Sequence, residues 1–430
     1  MKYKDIDSKL FIKNRERFRK EIKKDSVAIF HSNDIMPTNA DGTLPFKQNN
    51  DIFWMCGIDQ EESILLVAPD APYSYYKEAL FLRETNEEIA IWEGHKLTKE
   101  EAKKISGIEN VFWISEFDTI FKDVATNSEN IYLNTNEHLR AKVLVETRER
   151  RFIDKCQKDY PLHKYERLAP IMHKLRSVKD PIEIEIMREA CSITEKAFRR
   201  ILKFVKPGVN EFEVEAEIFH EFLRNGSRGP AYSSIIAGGF SSCVLHYVEN
   251  DKPLNDGDIL LMDFGAEYAN YASDMTRCIP VNGRFTERQK QIYNSVLKVM
   301  KEAKELLVPG NNWIDYHKEV GKIMESELIS LGLLDATAVK NQDPEYPLYK
   351  KYFMHGTSHF IGLDVHDVGN KYHPFKEGMA FTCEPGIYLR DESLGIRIEN
   401  DIIVSKDGPI DLMASIPIEV EEIEDLMNEK

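Results

Sequence analysis

Two stretches in the second half of the chain each read as a β-hairpin with acidic residues set inside apolar strands, and few folds accommodate that. The first, LLMDFGAEYANYASDMTRCIP, has apolar runs on either side of a centre at Tyr268 and Ala269, beside the turn-favouring Asn270. Folded about that centre, Asp263 faces Asp274. The second, FTCEPGIYLRDESLGIRIENDIIV, is interrupted by Asp391, Glu392 and Ser393, and folding about them sets Glu384 against Glu399. Directly opposed side chains stand about 4.5–5.5 Å apart at Cβ, and like charges at that range destabilise a ladder. A cation between them removes the conflict, so the two hairpins predict a clamp for two divalent ions about 3.5–4 Å apart. One acidic pair is ordinarily turn capping or a solvated face. Two pairs inside apolar segments, joined by a His-rich stretch, point to a site.

That stretch, MHGTSHFIGLDVHDVG, carries His355, His359 and His366, and LHYVEN places His246 upstream of the first hairpin. His355 and His359 have the spacing of a helical zinc pair. No Glu follows His355, however, and Gly356 disfavours a helix. His359 is therefore taken as the fifth ligand and the other histidines as the wall of the site. Four carboxylates with one imidazole form a hard, oxygen-rich set that suits Mn(II), while the imidazole also admits Co(II), Zn(II) or Fe(II). Manganese is the expected metal.

The chain has 430 residues, enough for two or three domains, with 57 Lys and Arg against 73 Asp and Glu for a net charge of −16. That balance argues against nucleic acid or an anionic membrane as partner and suits a substrate with a cationic N-terminus. The six cysteines, Cys56, Cys156, Cys191, Cys243, Cys278 and Cys383, form no CxxC pairs, as expected of buried thiols in a reducing compartment. No signal-like leader and no long apolar run is visible, so a cytoplasmic location is expected.

The first 24 residues read as a basic-faced helix. SVAIFHSN, ESILLVAP, KEALFLRE and NVFWIS read as strands alternating with helix-compatible stretches such as LTKEEAKKI, the pattern of an α/β domain. A helical passage is expected from Glu137 through Leu175. A long helix then begins at Asp180 and Pro181, an N-cap followed by the first helical residue. This divides the chain into residues 1–175 and 176–430, the second part alternating helices with the two hairpins.

The order Asp, Asp, His, Glu, Glu, the 11-residue gap between the aspartates, and the strings HGTSHFIGLDVHD, EPGIY and GIRIEND resemble the dimetal pita-bread peptidases, most closely the Xaa-Pro aminopeptidases, or aminopeptidase P. FKQNNDIFWMCGI is similar to the amino-terminal domain of that family, with Lys47 where many relatives carry arginine. The resemblance implies an α/β N-terminal domain that mediates oligomerisation and narrows access. It also implies an α+β C-terminal pita-bread domain of the creatinase and methionine aminopeptidase type, itself an ancient duplication. The activity implied is release of the first residue from peptides with proline second, by a water or hydroxide bridging two divalent metals. Asp274 and Glu399 would bridge the metals, Asp263 would bind one, and His359 and Glu384 the other.

By the same match, His246, His355 and His366 would donate hydrogen bonds to the substrate or to the developing oxyanion, and Glu384 would shuttle a proton. Arg397, two residues before Glu399 and on the same strand face, is expected to orient a ligand carboxylate. Tyr232 and Tyr388 become pocket residues, and Trp92 matches a position that reaches a neighbouring subunit's pocket in a homodimer or homotetramer. The rivals are prolidase, which shares the ligands but cleaves Xaa-Pro dipeptides, and a non-enzymatic pita-bread binding module. A module is expected to lose ligands, as creatinase-like enzymes do, and this chain keeps all five. Methionine aminopeptidase usually lacks the large N-terminal domain.

Overall fold

In a computed structural model, which describes residues 3–429, the chain divides into two compact units, one spanning Lys4–Arg176 and the other running from Ser177 onward together with Tyr3. The first unit is built on six strands: β1 (Ser26–His31), β2 (Ile64–Val67), β3 (Glu78–Leu82), β4 (Val111–Trp113), β5 (Asn130–Leu133) and β6 (Lys164–Arg167). They form one mixed sheet in the order β4-β3-β2-β1-β5-β6. β1, β2 and β3 pair antiparallel, whereas β4, β5 and β6 join in parallel. Helices α1 (Lys9–Arg19), α2 (Asn50–Cys56), α3 (Glu87–Glu93), α4 (Lys99–Ser106), α5 (Phe117–Thr126), α6 (Arg148–Asp159) and α7 (Ala169–Arg176) complete it. Val27, Ile29, Leu66 and Phe81 of the sheet pack with Phe117 and Phe121 of α5 and Phe152 of α6 into one core. Burial of such side chains contributes about 1.5–3 kcal/mol each.

Two expectations need correction here. The first helix covers only Lys9–Arg19, because the residues after Arg19 turn into β1. The passage from Glu137 to Leu175 is not one helical run: it holds α6, the edge strand β6 and α7. KYER lacks the apolar alternation that marks a half-buried strand, since its four positions are only partly buried or exposed.

The first unit buries two titratable groups shifted in opposite senses. Burial, with Arg148 and Arg151 nearby, holds the His31 imidazole down to about 3. Burial, with Asp51 and Asp34 adding their charge, pushes the Glu149 carboxyl up to about 7. Between about 3 and 6.5 only the unfolded chain protonates His31, so this residue lowers stability as pH falls through that window. Between about 4.5 and 7 only the folded chain keeps Glu149 protonated, so that residue lowers stability as pH rises. The two slopes oppose each other where the windows overlap. Glu149→Gln is therefore expected to leave the His31 slope unopposed, giving a steeper loss of stability on acidification below about 6.5 in urea unfolding. An unchanged pH profile in this variant refutes the assignment.

The second unit opens with α8 (Pro181–Phe204), where Asp180 caps the helix, Pro181 occupies its first turn and Glu183 closes a capping box. α9 (Glu211–Arg224) follows. Strands β7 (Ile235–Gly238), β8 (Ile259–Phe264), β9 (Glu267–Tyr268), β10 (Tyr271–Ala272) and β11 (Met275–Pro280) come next, then helices α10 (Glu287–Glu305), α11 (Trp313–Ser330) and α12 (Ala336–Lys340). The chain ends with β12 (Ala380–Cys383), β13 (Gly386–Leu389), β14 (Leu394–Arg397), β15 (Asn400–Ile403), β16 (Ile410–Asp411) and α13 (Val420–Asn428). β11-β8-β7 and β12-β15-β16 form two antiparallel three-stranded sheets, and β13 pairs with β14.

The first acidic hairpin is centred one residue later than expected. Tyr271 pairs with Tyr268, Thr276 with Asp263, and Ala269 and Asn270 form the turn, both with positive φ (51° and 68°). Two successive positive φ values make a type I′ turn, and Asn tolerates that conformation. Asp263 therefore faces Thr276, and Asp274 is its diagonal neighbour. Because side chains alternate with period two, this displacement leaves both carboxylates on one face. The regular ladder is interrupted at Gly265, where the two segments approach so closely that a Cβ would come within 1.7 Å of the Ser273 carbonyl oxygen. In the second hairpin Cys383 pairs with Asn400 and Gly386 with Arg397, so Glu384 and Glu399 face each other as expected.

Candidate metal centre

The two hairpins bring their acidic residues to one buried place. Asp274, His359 and Glu399 each offer a ligand atom within 4.8 Å of the others. The His359 Nε2 stands 3.3 Å from Asp274 Oδ2 and 3.8 Å from Glu384 Oε1. Its Nδ1 lies 3.0 Å from the Phe360 carbonyl oxygen, and donation there leaves Nε2 with a lone pair directed at the carboxylates. Asp263 joins the group through Tyr232, whose hydroxyl hydrogen-bonds both Asp263 Oδ1 (2.6 Å) and Asp274 Oδ1.

Electrostatics show what this arrangement lacks. Burial, then the charges of Asp263 and Asp401, push the Asp274 carboxyl well above the usual carboxylate range. Burial, then Asp274, Glu384 and Asp263, do the same to Glu399 against the opposing pull of Arg397. Buried carboxylates this close are stable in ionised form only with added positive charge. Arg397 supplies one such charge. It donates to Asp263 Oδ2 at 2.6 Å, to the Tyr388 hydroxyl at 3.0 Å and to Thr276 Oγ1 at 3.0 Å. Burial works against its guanidinium, but Tyr388, Asp263 and Glu399 outweigh that and hold it protonated. A single guanidinium leaves most of the acidic charge uncompensated, and the donor set of carboxylates with one imidazole suits divalent cations.

The remaining residues singled out in the sequence take different places. His355 sits with Nε2 2.8 Å from the Tyr388 hydroxyl and Nδ1 3.7 Å from Glu384 Oε2, and burial beside Arg397 holds it neutral, down to about 3. His366 packs edge-on against His359 with ring centroids 4.3 Å apart. His246 is solvent-exposed and close enough to His355 to affect its charge. Trp92 lies in the other unit, on α3, and is 84% exposed.

Two residues of the centre were not singled out in the sequence. Thr276 donates its hydroxyl to Glu399 Oε2 at 2.6 Å while accepting from Arg397. Asp401, fully buried, accepts the Asp274 backbone N–H at 3.1 Å. Each stands two residues beyond a ligand, Asp274 and Glu399 respectively, so the two-residue strand period was the signal available.

Comparisons with known proteins identify the family. Residues 185–406 match the model of metallopeptidase family M24, and residues 11–132 match the aminopeptidase P N-terminal domain. The Xaa-Pro aminopeptidase of Haemophilus influenzae is 34% identical, with 97% of each chain covered, and that of Escherichia coli 33% identical, with 98% of each covered. Among solved structures, a putative aminopeptidase P from Bacillus anthracis superposes with a TM-score of 0.91 at 34% identity, covering 98% of both chains. The fold is thus that of a pita-bread metallopeptidase with an aminopeptidase P-type N-terminal domain. The chain belongs to metallopeptidase family M24 and, within it, to the Xaa-Pro aminopeptidases.

Proposed function

We propose that this protein hydrolyses the Xaa-Pro bond at the N-terminus of peptides, releasing the first residue. The observation that carries this reading is the convergence of Asp263, Asp274, His359, Glu384 and Glu399 in a unit whose full-length relatives are named Xaa-Pro aminopeptidases. Those five residues would hold two divalent cations, manganese by the preponderance of oxygen donors. Once bound, the cations supply Lewis acidity that polarises the scissile carbonyl and acidifies an attacking water. Glu384 would take a proton from the attacking water and deliver it to the proline nitrogen as the bond to the first residue breaks. His246 and His366 hydrogen-bond the substrate, whereas neutral His355 gives its Nδ1–H to the Gly356 carbonyl at 2.8 Å and accepts from the Tyr388 hydroxyl at Nε2, so it acts by holding Tyr388. Tyr232 and Arg397 fix Asp263, and Tyr388 fixes Arg397.

An Xaa-Pro bond is a tertiary amide without N–H, so a site that binds it reads the proline ring instead. The free α-ammonium meets a carboxylate near the metals, Asp263 in this reading. The manganese-loaded protein is expected to release the first residue from Xaa-Pro-Yaa. Acetylating the N-terminus or replacing the proline by alanine should nearly abolish cleavage. Hydrolysis of Xaa-Pro dipeptides alone, with tripeptides intact, replaces this reading by prolidase.

The histidines give a separate check. His246→Ala and His366→Ala are expected to lower turnover roughly a hundredfold with metal content near that of the parent, the loss typical of removing a transition-state hydrogen bond. Loss of metal from either variant, measured by elemental analysis, makes that residue a ligand.

Trp92 would reach a neighbouring subunit's site in a homodimer or homotetramer, a reading supported by its 84% exposure and that of Ile91 at 80%. A cytoplasmic setting is supported by six free, buried cysteines. No helix among the described residues is long and apolar enough to cross a membrane.

A further inference from the structure

The loop that carries His355 and His359 has little regular structure of its own, yet its residues are tightly placed. The first turns of α11 explain how. Asn312 caps the helix by accepting from the Ile314 and Asp315 N–H groups, both at 3.0 Å. Trp313, Tyr316 and His317 then stand at i, i+3 and i+4, on one helical face. The Trp313 ring stacks on Phe360 at 5.6 Å and 11°. The Tyr316 hydroxyl lies 2.9 Å from Ser358 Oγ, and His317 Nδ1 lies 3.0 Å from Thr357 Oγ1. One helix face thus reads the loop residue by residue, in reverse order, around His359.

Thr357 links this contact to the centre in a second way. Its carbonyl accepts the backbone N–H of Glu384 at 2.8 Å. The helix side chain that fixes Thr357 therefore also fixes where Glu384 begins. On the other side, the Phe353 ring lies edge-on to both His317 (6.3 Å) and His355 (4.9 Å). Thr357 and Tyr316 are almost fully buried, so water does not substitute for these bonds.

We propose that Tyr316 and His317 are positioning residues of the metal centre, with His317 acting through Thr357 to set Glu384 and Tyr316 acting through Ser358 to set His359. This deepens the dimetal peptidase reading and rests on it. Neither residue is among the five proposed ligands; each holds a ligand-bearing segment against the tendency of an irregular loop to sample other conformations.

The test compares full-length, manganese-loaded variants. His317→Phe and Thr357→Val are expected to lower kcat by about 10- to 100-fold with KM within about threefold. Their metal-free forms should bind added Mn(II) with affinity weakened by about 10- to 100-fold in calorimetric titration. His317→Asn and Thr357→Ser, which keep a hydrogen-bonding atom near the same place, should recover most of both quantities. The double variant His317→Phe/Thr357→Val should lose no more than either single one, since both remove the same link. If kcat and Mn(II) affinity stay within about twofold of the parent, or if the two losses multiply, the proposal is overturned. Tyr316→Phe removes a single hydroxyl and serves if His317→Phe fails to fold; an unchanged Mn(II) affinity there counts against the proposal equally. A parent chain that binds Mn(II) but cleaves no Xaa-Pro-Yaa peptide, with variants that still bind metal more weakly, overturns the peptidase reading and leaves this inference standing.

Discussion

Asp274→Asn and Glu399→Gln are each expected to abolish peptide hydrolysis, by a factor on the order of 10³ or more, and to lower bound metal. A neutral amide cannot supply the negative charge that holds two cations together, and EDTA treatment of the parent should reproduce the loss. Stability should move the other way in metal-free protein. Both carboxyls are held above the ordinary carboxylate range, Asp274 by burial and then Asp263, Asp401 and Glu384, and Glu399 by burial and then Asp274, Glu384 and Asp263. Removing one like charge relieves the others, so metal-free Asp274→Asn should unfold at higher denaturant than metal-free parent at neutral pH. Added Mn(II) should reverse that order by stabilising only the parent. A variant that keeps two bound metals and full turnover sinks the assignment. One that is less stable than the parent without metal makes Asp274 a structural residue.

The second large effect concerns Arg397. Its guanidinium is buried and holds Asp263, Tyr388 and Thr276 at once, and Thr276 in turn holds Glu399. Removing one member of a buried charged network typically costs about 3–5 kcal/mol, because the partner is left uncompensated. Arg397→Leu is expected to lose roughly that much stability and to lower turnover by at least about a hundredfold, through a misplaced Asp263. Arg397→Lys should recover little, since an ammonium cannot reproduce the planar fork that reaches three partners. If Arg397→Leu retains both activity and its unfolding midpoint, the residue is an ordinary strand arginine.

How much of this was legible in the sequence depended on whether the signal was local. The second hairpin could be read because Asp391–Ser393 interrupts two apolar runs, and the observed pairing carries Glu384 opposite Glu399. The first was read one residue out of place. The deciding feature was backbone conformation at Ala269, a residue that rarely takes positive φ. The helix starting at Pro181 was legible because Asp180, Pro181 and Glu183 form a local capping signal. β6 was not, because KYER pairs with β5 through its backbone and shows no apolar pattern. Tyr316 and His317 were equally invisible: they stand some 40 residues from the loop they hold, and nothing near them in the chain marks the contact.

The links across the centre span long stretches of chain: Thr276 to Glu399 is 123 residues, and Asp263 to Arg397 is 134. During synthesis, Asp263 and Asp274 emerge well before the segment that completes the site. At about 5–20 residues per second the ribosome needs roughly 6 to 27 seconds to make the intervening chain. Over that interval the acidic residues of the first hairpin lack both Arg397 and the Glu384/Glu399 pair. A nascent or truncated chain ending before Arg397 is therefore without the assembled centre.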